Sequence, residues 1–329
     1  MSRLLREPSS FLFHFKMSNP SQPPPPNPNR LQRPLTWAER FFLGESPHMR
    51  PIYKIVLFVV LTIVLNIEVG SFVFSFTSDL PLWYRFFWNS LALAITFLLL
   101  SWVFLRVADG RPFFALGLTL RRGWGRELSL GFTLGVTLQL LVIAGLLAAR
   151  SIHYSAGDAI NLHFLRQVGA NAALFALAAA VEELAFRGYA FQRLIDAVGT
   201  PMALVASAVL FGLVHLWNPG ATLFSTLNTV LAGLLLAIPY IRTRSMWMQI
   251  GLHWSWNLTM ATIVSLPVSG INFGPNFFIP RESGPSWLTG AKYGPEGGAV
   301  VTVVSLVAIA WLLRTRQLTP SPAAPEDLQ

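Results

Sequence analysis

From residue 51 onward, long apolar runs alternate with short polar breaks, a rhythm that suits helices crossing a bilayer better than a water-soluble core. A hydrocarbon layer of about 30 Å asks for roughly 20 consecutive apolar residues. Runs of that kind fall near 53–76, 87–107, 128–149, 170–193, 201–217, 221–241, 246–266 and 297–314. The pattern predicts an all-α polytopic integral membrane protein with about eight transmembrane helices. Residues 1–50 are basic and proline-rich ("PSQPPPPNPNRLQRP" over 20–34), so they are expected to form a disordered tail. No apolar segment with a small-residue cleavage site opens the chain, so no signal peptide is expected, and Met17 offers an alternative start. The Gly/Pro-rich stretch 267–296 reads as an outer loop, and 317–329 as a short polar tail.

Composition supports the same class. Of the 329 residues 53% are hydrophobic and 12% charged, against about 25% charged in soluble domains. The net charge of +9 does not point to nucleic acid, because the basic residues sit mainly between the apolar runs. Arg106, Arg111, Arg121, Arg122 and Arg126 share one loop, and Arg242, Arg244, Arg314 and Arg316 fall on the same side of the alternation. By the positive-inside rule this bias places both termini in the cytoplasm. Cysteine is absent, which excludes disulfides, thiolate metal sites and cysteine catalysis. Any metal must therefore be held by His, Asp, Glu or Asn.

Three polar groups interrupt the apolar runs, each at helical spacing. In "EELAFR", Glu183 and Arg187 lie four residues apart and share a face, whereas Glu182 lies about 100° round the helix. In "FGLVH", Phe211 and His215 share a face of the next helix, and in "HWSWN", His253 and Asn257 share one of the seventh. Bundle sites are assembled from side chains on facing helices in this way. Neutral imidazoles suit Zn²⁺, a carboxylate serves as ligand or as base, and an amide suits a developing oxyanion. Structural readings stand beside these. Glu183–Arg187 serves as a buttress that aims Glu182, and Phe211 as packing. Asn66 and Glu68 lack histidine partners, and Glu68 reads as structural near the outer end of the first helix. His153 and His163 read as solvated, and Trp254 and Trp256 as interfacial belt or substrate wall.

Taken together, the motifs resemble the signature of the CPBP (CAAX protease and bacteriocin-processing, or Abi) family of intramembrane metallo-endopeptidases: Glu-Glu-x-x-x-Arg, Phe-x-x-x-His, His-x-x-x-Asn. The resemblance covers about 170–265. It implies a four-helix catalytic core within 169–266, flanked by amino-terminal membrane helices over 51–168 and a last helix with its tail over 297–329. It implies that Glu182 activates water, that His215 and His253 bind zinc (with Glu182 as a possible third ligand) or position the water directly, and that Asn257 supports the oxyanion. Glu183 and Arg187 would buttress the site. Another divalent metal, or a metal-free glutamate mechanism, remains open at this stage. The expected partners are the lipid bilayer and a membrane-associated peptide or protein, lipidated or unmodified, with no nucleic acid. The expected location is the plasma membrane of a prokaryote. The rival readings are a non-catalytic scaffold or immunity factor and a proton-coupled transporter.

Overall fold

The computed structural model describes residues 49–120, 122–274 and 277–318. The basic tail over 1–48, the alternative start at Met17 and the end of the chain from 319 lie outside the described residues. Helix α1 runs Pro51–Thr77 and α2 Leu82–Val103, which continues as a π turn over Phe104–Ala108. α3 runs Trp124–Ala148. A strand, β1 (Ile152–Ala156), leads to α4 (Leu162–Arg187) and α5 (Tyr189–Val198), which are parted by Gly188. α6 (Thr200–Val214) ends in a 3-10 turn over His215–Trp217. α7 (Leu223–Thr243) precedes α8 (Trp247–Leu258), which continues as a π turn to Ile263. β2 (Phe278–Glu282), the one-turn α9 (Ser286–Thr289) and α10 (Ala299–Arg314) complete the described chain.

All eight expected spans are helices, and the protein is a polytopic all-α membrane protein. Six are long and apolar enough to cross a membrane: Pro51–Thr77, Leu82–Ala108, Trp124–Ala148, Leu162–Val198, Thr200–Trp217 and Leu223–Thr243. The last two are shorter, with α10 only 16 residues long. The fourth span starts earlier than its apolar run because Asn161 caps it, its side chain accepting from Phe164 N at 2.9 Å. α7 opens with a reciprocal cap, Thr222 Oγ1 accepting from Ser225 N at 3.1 Å and Ser225 Oγ from Thr222 N at 2.8 Å. The stretch expected to be loop alone contains β2, paired antiparallel with β1 from Ile152↔Glu282 to Ala156↔Phe278.

Packing gathers the later helices around α8. α3 lies against α8 at very close range, since a Cβ at Gly131 would strike the Met248 carbonyl and one at Gly251 the Leu128 carbonyl. In apolar surroundings such small-residue contacts let backbones approach and gain van der Waals energy that lipid cannot supply. One core joins α3, α7, α8 and α10 through Leu138, Val142, Leu235, Leu252, Met260 and Leu312. A second joins α1, α2, α4 and α5 through Phe58, Phe104, Leu184, Tyr189 and Phe191. It is pinned by an ion network: Lys54 Nζ to Asp109 Oδ1 at 2.5 Å, Arg193 Nη1 to Asp109 Oδ2 at 3.5 Å and to Asp196 Oδ2 at 3.0 Å. Lys54 is thus buried and paired.

Candidate functional site

Three helices bring Glu182, His215, His253 and Asn257 to the lining of a cavity of about 270 Å³. Glu182 stands near the end of α4, His215 at the end of α6, and His253 and Asn257 one turn apart on α8. The first two motifs meet because α4 and α6 run antiparallel after the turn at Gly199. Ser207 Oγ donates to Phe186 O at 2.9 Å lower down, and His215 faces Glu182 higher up.

The histidines are aimed by their far nitrogens. His253 Nδ1 lies 2.9 Å from Glu183 Oε1, and His215 Nδ1 lies 2.7 Å from the Phe211 carbonyl. Both partners only accept, so Nδ1 carries the proton in each ring and Nε2 presents its lone pair. Each Nε2 is 3.8 Å from the same atom, Glu182 Oε2, which has no hydrogen-bond partner. Glu182 is about one-third exposed, with 34% of its side chain accessible, whereas Glu183 and Arg187 are sealed at 0%. The two adjacent glutamates therefore occupy different environments, as their 100° separation predicts.

Glu183 and Arg187 form a buried pair. Arg187 Nη1 reaches Glu183 Oε1 at 3.3 Å, and Nη2 donates to Gly233 O on α7 at 2.8 Å. The guanidinium carbon also sits 4.8 Å from the Phe211 ring centroid. Phe211, read in the sequence as packing, thus lies between Arg187 and His215, whose ring centroid is 4.7 Å away. Asn257 makes no hydrogen bond with the described residues, so its amide is free to face the cavity.

The remaining walls are apolar, with Phe86, Leu174, Phe175, Leu252 and Phe273 among them. Trp256 belongs to this wall; Trp254 instead packs on Phe132 at 5.0 Å. His153 and His163 are exposed and take no part. Glu68 is exposed on α1, away from the site. One residue escaped the sequence reading: Glu296. Its Oε1 accepts from Trp256 Nε1 at 2.9 Å, and its Oε2 from Ser269 N at 2.7 Å and Ser269 Oγ at 2.8 Å. It ties the segment between α8 and α10 to the cavity rim, and no local motif announces it. Beside it, burial and the Glu296 carboxylate hold the Tyr293 phenol above its ordinary range.

Among the described residues, no group of three or more His, Cys, Asp or Glu side chains stands close enough to hold a metal ion as it is placed. Yet the donor chemistry of the Glu182, His215 and His253 trio fits zinc. Two imidazoles with proton-bearing Nδ1 atoms bonded to acceptors are the usual arrangement around that ion, and an unpartnered carboxylate oxygen faces both.

Residues 161–259 match the model of the Rce1-like family, described as type II CAAX prenyl endopeptidase Rce1-like. The matched stretch contains Glu182, Glu183, Arg187, His215, His253 and Asn257. Neither a curated protein nor a solved structure matches the chain. Over this stretch, which carries all of the motif residues, the chain is similar to that family.

Proposed function

We propose that the protein is an intramembrane endopeptidase in which Glu182 is the general base and then the general acid, with a zinc ion as cofactor and a membrane-associated, lipid-modified peptide as substrate. The observation that carries this reading is the aim of two histidine Nε2 atoms at one unpartnered carboxylate oxygen inside an otherwise apolar cavity.

The chemistry follows from the placements. Glu182 Oε2 takes a proton from the attacking water and returns it to the leaving amine, a task suited to a carboxylate that is partly exposed and committed to no other group. The Asn257 amide donates to the oxyanion that develops on the scissile carbonyl; preorganised donors of this kind contribute about 2.7–4 kcal/mol in other acyl-transfer enzymes. Glu183 keeps His253 in the tautomer that leaves Nε2 free, and Arg187 pairs with Glu183 in the dry interior. His215 and His253 would hold the zinc, leaving Glu182 to act as base, and the bound ion would supply the Lewis acidity that brings the pKa of water towards about 7. The apolar walls favour a substrate delivered with a lipid chain, and the matched family's description as prenyl endopeptidases points to the same class.

The test uses full-length protein in liposomes and a fluorogenic peptide ending in a farnesylated cysteine followed by three residues, beside its unlipidated twin. Cleavage of the lipidated peptide, lost in Glu182→Gln and suppressed by a chelator, is the expected result. The Glu182→Gln protein should keep its thermal stability, because the side chain has no structural partner to lose. Cleavage retained in that variant would overturn the assigned base. Tight binding without cleavage would move the cavity to a capture role.

A further inference from the structure

A second polar layer lies beside the catalytic one. Gln249 is 0% exposed, and neither its Oε1 nor its Nε2 meets a hydrogen-bond partner. Glu183 Oε2 and Arg187 Nε are likewise unpartnered, on side chains sealed at 0%. Leaving such groups unmet is costly, more so when they are charged, so several in one place demand an explanation.

The helix register brings them to one level. α4 and α8 run in opposite directions, because α5, α6 and α7 between them reverse the chain at Gly199, at Asn218–Thr222 and at Arg244–Met246. His253 on α8 touches Glu183 on α4. Arg187 lies one turn onward from Glu183, and Gln249 lies one turn back from His253. In antiparallel helices both steps go the same way, about 6 Å along the axis. The register thus puts Gln249 at the level of Arg187, on the face of α8 that carries His253. Arg187 spends Nη1 on Glu183 and Nη2 on Gly233 O, which leaves its Nε edge.

The unmet groups comprise two donors, Arg187 Nε–H and Gln249 Nε2–H, and two acceptors, Glu183 Oε2 and Gln249 Oε1. One water molecule accepts two hydrogen bonds and donates two. We propose that a single water is held here, between α4 and α8, and that through it Gln249 is a positioning residue: it fixes the second oxygen of Glu183 and with it the tautomer and aim of His253. The water site stands on the structure alone; its catalytic consequence rests on the endopeptidase reading above. Buried waters typically make about three hydrogen bonds to groups otherwise unsatisfied, and partners of this outer kind are worth about 10–100-fold in activity at other histidine–carboxylate sites.

The test joins a map of the full-length protein in nanodiscs, at a resolution where ordered water is visible, to histidine-selective ¹⁵N spectra of the wild type and of Gln249→Met. Methionine keeps the volume and removes both polar groups. The expected result is water density within hydrogen-bonding distance of Gln249, Arg187 Nε and Glu183. In Gln249→Met that density disappears and the His253 signal turns from one Nδ1–H tautomer to a mixture. Turnover of the farnesylated peptide should fall about 10-fold or more with KM little changed. A direct Gln249–Arg187 bond with no water, or an unchanged His253 signal in a folded Gln249→Met protein, overturns the proposal. If the wild type cleaves no peptide, the endopeptidase reading fails while the map and the spectra still decide the water site.

Discussion

Replacing Glu183 by glutamine keeps the shape of the side chain and an oxygen for His253, but removes the charge that faces Arg187. In the wild type that guanidinium is sealed at 0% exposure, 3.3 Å from Glu183 Oε1, with the Gly233 carbonyl as its other polar partner. Breaking a buried pair by removing one member costs about 3–5 kcal/mol, because the other charge is stranded. At about 2–4 °C of melting temperature per kcal/mol for a chain of this size class, Glu183→Gln should lose roughly 6–20 °C. Arg187→Met should lose a similar amount. The double variant strands no charge, so its loss should be smaller than the sum of the singles by about 0.5–3 kcal/mol, the usual coupling of residues in contact. Melting of the four detergent-solubilised proteins, followed by size-exclusion fluorescence, measures the cycle. Single variants within about 2 °C of wild type, or strictly additive losses, would refute the buttress and leave Glu183 with no role beyond its bond to His253.

The remaining predictions follow from packing and from the rim. Gly131→Ala drives a methyl group into the Met248 carbonyl, so α3 and α8 must part; overpacking of this sort costs about 1–3 kcal/mol and should appear as reduced melting temperature and monodispersity. Gly125→Ala, on the same helix with open space around it, should change neither. Glu296→Gln weakens charge-assisted bonds to Ser269 and Trp256, each worth about 1.5–3 kcal/mol; faster amide exchange over 265–298 is expected, with α4 protection unchanged.

Much of the site was legible because its parts repeat at helical spacing. Glu183 and Arg187 pair as their i,i+4 separation predicts, and Glu182, one step round, faces the cavity instead. His215 and His253 converge on Glu182 from two other helices, as facing helices in a bundle allow. What stayed hidden depends on partners far along the chain. Nothing near His253 signals that its Nδ1 would engage Glu183, 70 residues earlier, or that Glu296 would receive Trp256. Gln249 reads as an ordinary helix residue until its level with Arg187 is known. The pairing of β1 with β2 escaped as well, since neither strand shows a clear alternation and the second lies among turn residues. Hydropathy also ran over the break at Gly188, because apolar residues on both sides make one continuous signal.

The short last helix has a consequence for the lipid around it. α10 spans about 24 Å at 1.5 Å per residue, less than a hydrocarbon layer of about 30 Å, whereas α1 reaches about 40 Å. Its Val303, Leu306 and Val307 face outward, so acyl chains must meet a helix too short for them, and a bilayer relieves such hydrophobic mismatch by thinning. Val301 and Ser305 of the same helix line the cavity. A bilayer that thins to match this helix would bring head groups and water closer to the wall behind which the glutamate and histidines sit.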